Sequence, residues 1–122
     1  RELKKIKQAK PNKTNDHFFI KSNNQIEKVF YEELIYAEAM LNYVMLITNS
    51  KKMIVYVTIK SLEEQLPADM FMKVHKSFIV NLSKIRSIEG NILDIGNEKI
   101  TISQNLRDKV ISEVVKDKMI KR

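Results

Sequence analysis

Phe71-Met72-Lys73-Val74-His75-Lys76-Ser77-Phe78-Ile79-Val80-Asn81 sets two short apolar runs, 72–75 and 78–81, on either side of a polar break. Short apolar runs bounded by polar residues are the pattern of strands rather than of a helix. A loop between two such strands would hold His75, Lys76 and Ser77 on a rigid base, a good arrangement for reading base edges or phosphates. The blander reading of the same residues is an ordinary exposed turn with His75 packed near the core.

The rhythm of short runs continues in both directions. Upstream, strand-like runs fall at 17–21 (His-Phe-Phe-Ile-Lys), 25–30, 34–39, 43–48 (Tyr-Val-Met-Leu-Ile-Thr) and 52–57 (Lys-Met-Ile-Val-Tyr-Val). Asn23-Asn24 and Asn49-Ser50-Lys51 suit hairpin turns between them. Ile59, Leu62 and Leu66 then recur at helical spacing, which predicts a short helix over about 59–66. Thr58 or Ser61 suits its N-cap, Glu63 and Glu64 its positive end, and Pro67 its stop. Downstream, runs at 84–89, 92–95 and 99–102 are separated by Gly90-Asn91 and Gly96-Asn97. Ser103 suits the cap of a final helix over about 104–119, striped by Leu106, Val110, Ile111, Val114, Val115 and Met119. The expected fold is mainly β, about ten short strands with one short central helix and a C-terminal helix. Strands this short favour two-layer β packing over a βαβ fold, which needs a helix between most strands.

Composition narrows the chemistry. The chain has 122 residues, 43% of them hydrophobic and 30% charged, which fits one domain with a short tail. It has no cysteine, which removes disulfides, thiolate nucleophiles and cysteine-ligated metals together. Its two glycines, Gly90 and Gly96, open no phosphate-cradling loop, and His17 and His75 lie too far apart in sequence for a histidine-rich metal cage. No metal and no cofactor are expected. No apolar run approaches the length of a membrane span and no signal peptide is visible, so the expected location is the cytoplasm, away from the membrane. The first residue is Arg1 rather than Met, which suggests a piece of a longer protein. Residues 1–15, lysine-rich with Pro11 and a polar run, are read as a basic linker from a missing upstream domain, and 16–122 as the folded domain.

Net charge is +7, from 22 Lys and Arg against 15 Asp and Glu, which invites a polyanionic partner. The linker holds six cations against Glu2, so the remaining 107 residues carry only +2. DNA binding by the body therefore needs a local patch. Lys73, Lys76, Lys84 and Arg86 form one candidate, and Lys116, Lys118, Lys121 and Arg122 another.

A hydrolase is the first alternative to weigh. His75 and Ser77 are two apart on a strand and can share a face, but catalysis also needs an orienting acid and an oxyanion hole. No nucleophile-elbow motif is present and the nearest acid in sequence is Asp69, so no catalytic residue is assigned and no enzyme is expected.

Four blocks together resemble the LytTR DNA-binding domain. They are Glu38-Ala39-Met40-Leu41-Asn42-Tyr43-Val44, Ser61-Leu62-Glu63-Glu64-Gln65-Leu66-Pro67, the opening stretch 71–81 with Ile85, and Ile102-Ser103. The resemblance covers about residues 16–119. It implies small antiparallel sheets with short helices, and a role as the C-terminal output domain of a bacterial two-component response regulator. In that setting a receiver domain precedes in cis and answers to its sensor kinase. The partner it implies is promoter DNA, commonly at paired direct repeats where two copies bind in tandem. The DNA is read by loops in successive major grooves rather than by a recognition helix.

The resemblance also implies three contact segments. The first is Met40, Leu41, Asn42 and Tyr43, with Asn42 suited to adenine and Tyr43 to a phosphate or a thymine methyl. The second is His75, Lys76 and Ser77, with Lys76 facing the groove and His75 buttressing the loop. The third is Gln104, Asn105 and Arg107. Family members often carry arginine directly after the serine, whereas Gln104-Asn105 stands here, which implies a shift in base preference from guanine toward adenine. Asn81, ending a strand, is read as a residue that satisfies backbone groups in a turn. The competing class of function is a β-rich module that binds a protein or peptide edge-on without DNA specificity, which the modest charge outside the linker leaves open.

Overall fold

The computed structural model describes residues 17–116 and 118–120. The basic linker, and Asp117, Lys121 and Arg122 of the second charge patch, lie outside the described residues.

The chain opens with a hairpin, β1 (His17–Ser22) and β2 (Gln25–Phe30), paired antiparallel with Ser22 opposite Gln25. The two intervening residues, Asn23 and Asn24, sit at φ +54° and +64°. That is the turn geometry whose twist matches paired strands, and asparagine tolerates it. β3 (Leu34–Ala39), β4 (Val44–Thr48) and β5 (Lys52–Val55) follow as a meander. Helix α1 (Ile59–Gln65) comes next, capped by the Thr58 hydroxyl, which accepts from the Ser61 N–H at 3.0 Å. It ends where Leu66, the residue before Pro67, turns extended. Glu63 and Glu64 fall beyond its first turn and do not complement the helix start as expected.

β6 (Phe71–His75) and β7 (Phe78–Asn81) then return to the same sheet, which reads β5-β4-β3-β7-β6 and is antiparallel throughout. A three-stranded sheet, β8 (Ser87–Glu89), β9 (Ile92–Asp94) and β10 (Lys99–Thr101), precedes helix α2 (Arg107–Val115).

Packing differs from the two layers expected, because the five-stranded sheet is covered on both faces. One face meets the β1–β2 hairpin and α1, burying Ile20, Val29, Leu46, Val55, Leu62 and Ile79. The other meets the three-stranded sheet and α2, burying Tyr36, Ile47, Val80, Leu93, Ile100 and Val110. The signal was in the sequence: Val44-Met45-Leu46-Ile47 and Phe78-Ile79-Val80 are unbroken apolar runs, the mark of a strand buried on both sides.

Three elements differ from their expected bounds by more than one residue. The strand expected at 84–89 begins only at Ser87, since Asn81 caps a 3-10 turn, Leu82–Lys84, by accepting from the Ser83 N–H at 3.0 Å. The strand expected at 52–57 stops at Val55 and leaves Tyr56 in solvent. The final helix runs only from Arg107 to Val115, after a 3-10 turn over Gln104–Leu106. Ser103 precedes that turn without a side-chain cap, and left-handed Lys116 (φ +37°) closes the helix before Met119.

Candidate nucleic-acid interface

β3 lies between β4 and β7 and runs opposite to both, so the β3–β4 and β6–β7 turns emerge at the same end of the sheet. A backbone bond joins them, the Ala39 N–H donating to the Ser77 carbonyl at 2.8 Å. The first turn is closed by the Met40 N–H donating to the Tyr43 carbonyl at 2.8 Å. Within it Leu41 is 95% exposed, Met40 and Asn42 are exposed, and Tyr43 is half-buried with its ring 6.0 Å from that of Tyr56.

In the second turn Lys76 points into solvent while its neighbours fold back. The Ser77 N–H donates to His75 Nδ1 at 3.1 Å, and the imidazole packs against Phe78 with centroids 5.6 Å apart. With Nδ1 accepting, a neutral imidazole carries its proton on Nε2.

The third segment joins the row from the far side of the sheet. The Ser103 N–H donates to the Val74 carbonyl at 2.8 Å, pinning the chain after β10 to the outer edge of β6. Asn105 and Lys76 consequently line one cleft of about 690 Å³, together with Lys73, Ser103 and Lys109. Glu63 and Glu113 stand in its walls, and Glu113 is also paired with Lys116 at 3.2 Å. Gln104 is exposed in the 3-10 turn beside it.

Arg107 is drawn elsewhere. Its Nε donates to the Gly90 carbonyl at 2.6 Å, which ties the start of α2 to the β8–β9 turn. It lines the groove on the other flank of α2 together with Arg86. The linear basic patch therefore divides in space: Lys73 and Lys76 face one side of the helix, Arg86 the other.

Sequence reasoning missed two residues of this end. Tyr56, 74% exposed just past β5, stands beside the first turn. Lys109 reaches the cleft only because it follows Asn105 by one helical turn, a spacing that marks a face but not what the face meets. Asn42, Lys76 and Asn105 have no side-chain hydrogen bond among the described residues. No group of three or more histidine and acidic residues that could hold a metal occurs among those residues. No described helix is long and apolar enough to cross a membrane.

A family model described as the LytTr DNA-binding domain matches residues 24–113. Among solved structures, the chain is similar to the LytTr DNA-binding domain of a methyl-accepting/DNA response regulator from Bacillus cereus. The TM-score is 0.70 at 22% identity, covering 81% of this chain and 95% of that one, a likeness of fold. No curated protein matches the chain.

Proposed function

The chain belongs to the LytTr DNA-binding domain family, and on that premise we propose that it reads a specific double-stranded DNA sequence through the turns at one end of its five-stranded sheet. The observation that carries the reading is the pair of backbone bonds, Ala39 to Ser77 and Ser103 to Val74, that fix three exposed polar tips in one row. Rigid tips along a row suit successive major-groove steps, because little ordering entropy remains to be lost on binding.

Asn42 and Asn105 are the amide readers and Lys76 the cationic one, each able to offer donors to base edges in the major groove. Met40, Leu41 and Tyr43 flank the first contact, His75 and Ser77 hold the second turn in shape, and Gln104 flanks the third. Arg107 acts through the Gly90 turn that it braces. Lys73 and Lys109 supply phosphate neutralisation, and with it salt-dependent affinity. In this reading the target is promoter DNA with paired direct repeats, bound by two copies in tandem. Residues 1–15 link the domain to a receiver under control of a sensor kinase, in the cytoplasm of a bacterium.

Selection of bound sequences from a random duplex pool tests the proposal. One enriched motif with an adenine-containing core is expected, and Lys76→Ala should weaken binding to it and relax preference at one position. A pool that yields no motif, together with affinity that vanishes once residues 1–15 are deleted, assigns the domain to protein or peptide binding instead.

A further inference from the structure

We infer that Leu41, backed by the Tyr43–Tyr56 ring pair, reads the 5-methyl group of a thymine next to the adenine contacted by Asn42. This rests on the DNA-binding reading above and adds an apolar reader to it.

Leu41 and Asn42 are neighbours on a turn whose ends are clamped by the Met40–Tyr43 backbone bond. Leu41 keeps 95% of its surface in water, so it contributes nothing by burial to the fold. It is not an isolated apolar residue. Leu41, Asn42, Tyr43 and Tyr56 line one shallow hollow of about 380 Å³, walled by two rings 6.0 Å apart. The three-stranded sheet and α2 cover the far half of the sheet face. At this corner Ile54, opposite Met45, and Tyr56 remain exposed.

The chemistry of the hollow matches one edge. In the major groove an A·T pair offers adenine N6 and N7 to an amide, and beside them the thymine methyl to an apolar side chain. A G·C pair has no methyl, and the minor groove presents none. Asparagine and leucine side by side on one clamped turn complement that edge. A protein surface could also take up exposed leucine and tyrosine. The turn, however, is bonded through Ala39 to Ser77, next to the exposed Lys76, which sets an ammonium group at the same end of the sheet. A polyanion with apolar groups in its grooves satisfies both.

The test uses the full chain and a site selected from random duplexes, compared with the same site carrying deoxyuridine for thymine, which removes only the methyl. The wild-type chain is expected to bind the deoxyuridine site roughly fourfold more weakly, the size expected for one buried methyl. Leu41→Ala is expected to bind the thymine site about as weakly as wild type binds the deoxyuridine site, and to treat the two sites alike. An unchanged unfolding midpoint for this exposed substitution checks the fold. Equal binding of the two sites by wild type overturns the inference, as does full thymine preference in Leu41→Ala. Methyl sensitivity that survives in Leu41→Ala but disappears in Tyr43→Ala also overturns it, by transferring the role to the ring. Each of these results leaves the selected motif intact and so spares the DNA-binding reading. A pool that enriches no motif removes both.

Discussion

Asn42 and Asn81 are the same side chain at opposite ends of one sheet, and they are used in opposite ways. Asn81 is fully buried; its Nδ2 donates to the Leu34 carbonyl at 2.9 Å and the Tyr31 carbonyl at 3.3 Å. Its Oδ1 accepts from the Ser83 N–H at 3.0 Å and the Ser83 hydroxyl at 2.8 Å. Thr48 closes the neighbouring β4–β5 turn in the same manner, accepting from the Lys51 N–H and donating to its carbonyl. At the other end the backbone is equally well bonded, but the polar tips of Asn42, Lys76 and Asn105 are left for solvent. A polar side chain with every hydrogen bond satisfied inside the fold is structural. One held out on a rigid, bonded backbone is available to a partner.

The largest effect expected from this contrast belongs to Asn81→Ala. It strands the Leu34 carbonyl in the interior and removes the cap of the Leu82–Lys84 turn, and the loss is about 2–4 kcal/mol of stability, measured by urea unfolding. Base preference of the molecules that stay folded should not move. Asn42→Ala should do the reverse. Its unfolding midpoint stays within about 0.5 kcal/mol of wild type, while affinity for the selected site falls by about 1–3 kcal/mol. If Asn42→Ala unfolds the domain, or Asn81→Ala changes the motif, the two ends are not divided as argued.

Lys76→Ala sharpens the same line within the end that carries the exposed tips. As a base reader, Lys76 is expected to contribute about 1–3 kcal/mol of discrimination at one position of the motif, measured as the ratio of selected to scrambled duplex affinity. A loss equal on both duplexes, with the salt slope reduced by about 1, would instead make it a phosphate contact.

A smaller effect separates the flanks of α2. Arg107→Ala removes one charge-assisted bond to the Gly90 carbonyl at a partly exposed site. It should cost about 1 kcal/mol of stability with no change of motif. Asn105→Ala, on the cleft side, should leave stability unchanged and alter one motif position.

Much of this architecture is legible in residue order, because local pattern sets local structure. The Asn23-Asn24 turn, the Thr58 cap and the Pro67 stop each act over four residues or fewer, and each stands where the sequence implies. The failures are tertiary. Tyr56 continues the apolar run of β5 yet leaves the sheet, and Lys84, Ile85 and Arg86, expected to open a strand, precede one that begins only at Ser87. The candidate residues could be named one by one, but their grouping could not. Ala39–Ser77 and Ser103–Val74 are backbone bonds across 38 and 29 residues, and backbone bonding carries no signature in side-chain type. Arg107 escaped for the same reason, since the carbonyl that holds it lies 17 residues upstream.

The smallest effects expected are pH-dependent, and they belong to the three-stranded sheet and the core under it rather than to the tips. The Gly96 N–H at 2.8 Å, and after it the Lys99 ammonium at 3.4 Å, hold the Asp94 carboxyl below the usual carboxylate range. Because its pKa is lower folded than unfolded, the stability it contributes is fully present above the ordinary aspartate value of about 4. It is lost as pH falls through the folded value, and Asp94→Asn should flatten that acid limb of a stability–pH curve. Tyr36 is the mirror case: burial first, then Glu98 and Glu38, push its hydroxyl above the usual tyrosine range. Its contribution is present below about pH 10 and lost as pH rises through the folded value, so Tyr36→Phe should flatten the alkaline limb. Neither group belongs to the three exposed tips, so neither substitution should alter the selected motif at neutral pH. A motif that changed with Asp94→Asn would couple the three-stranded sheet to the tips through the Ser103 anchor, and would erase the division between support and contact.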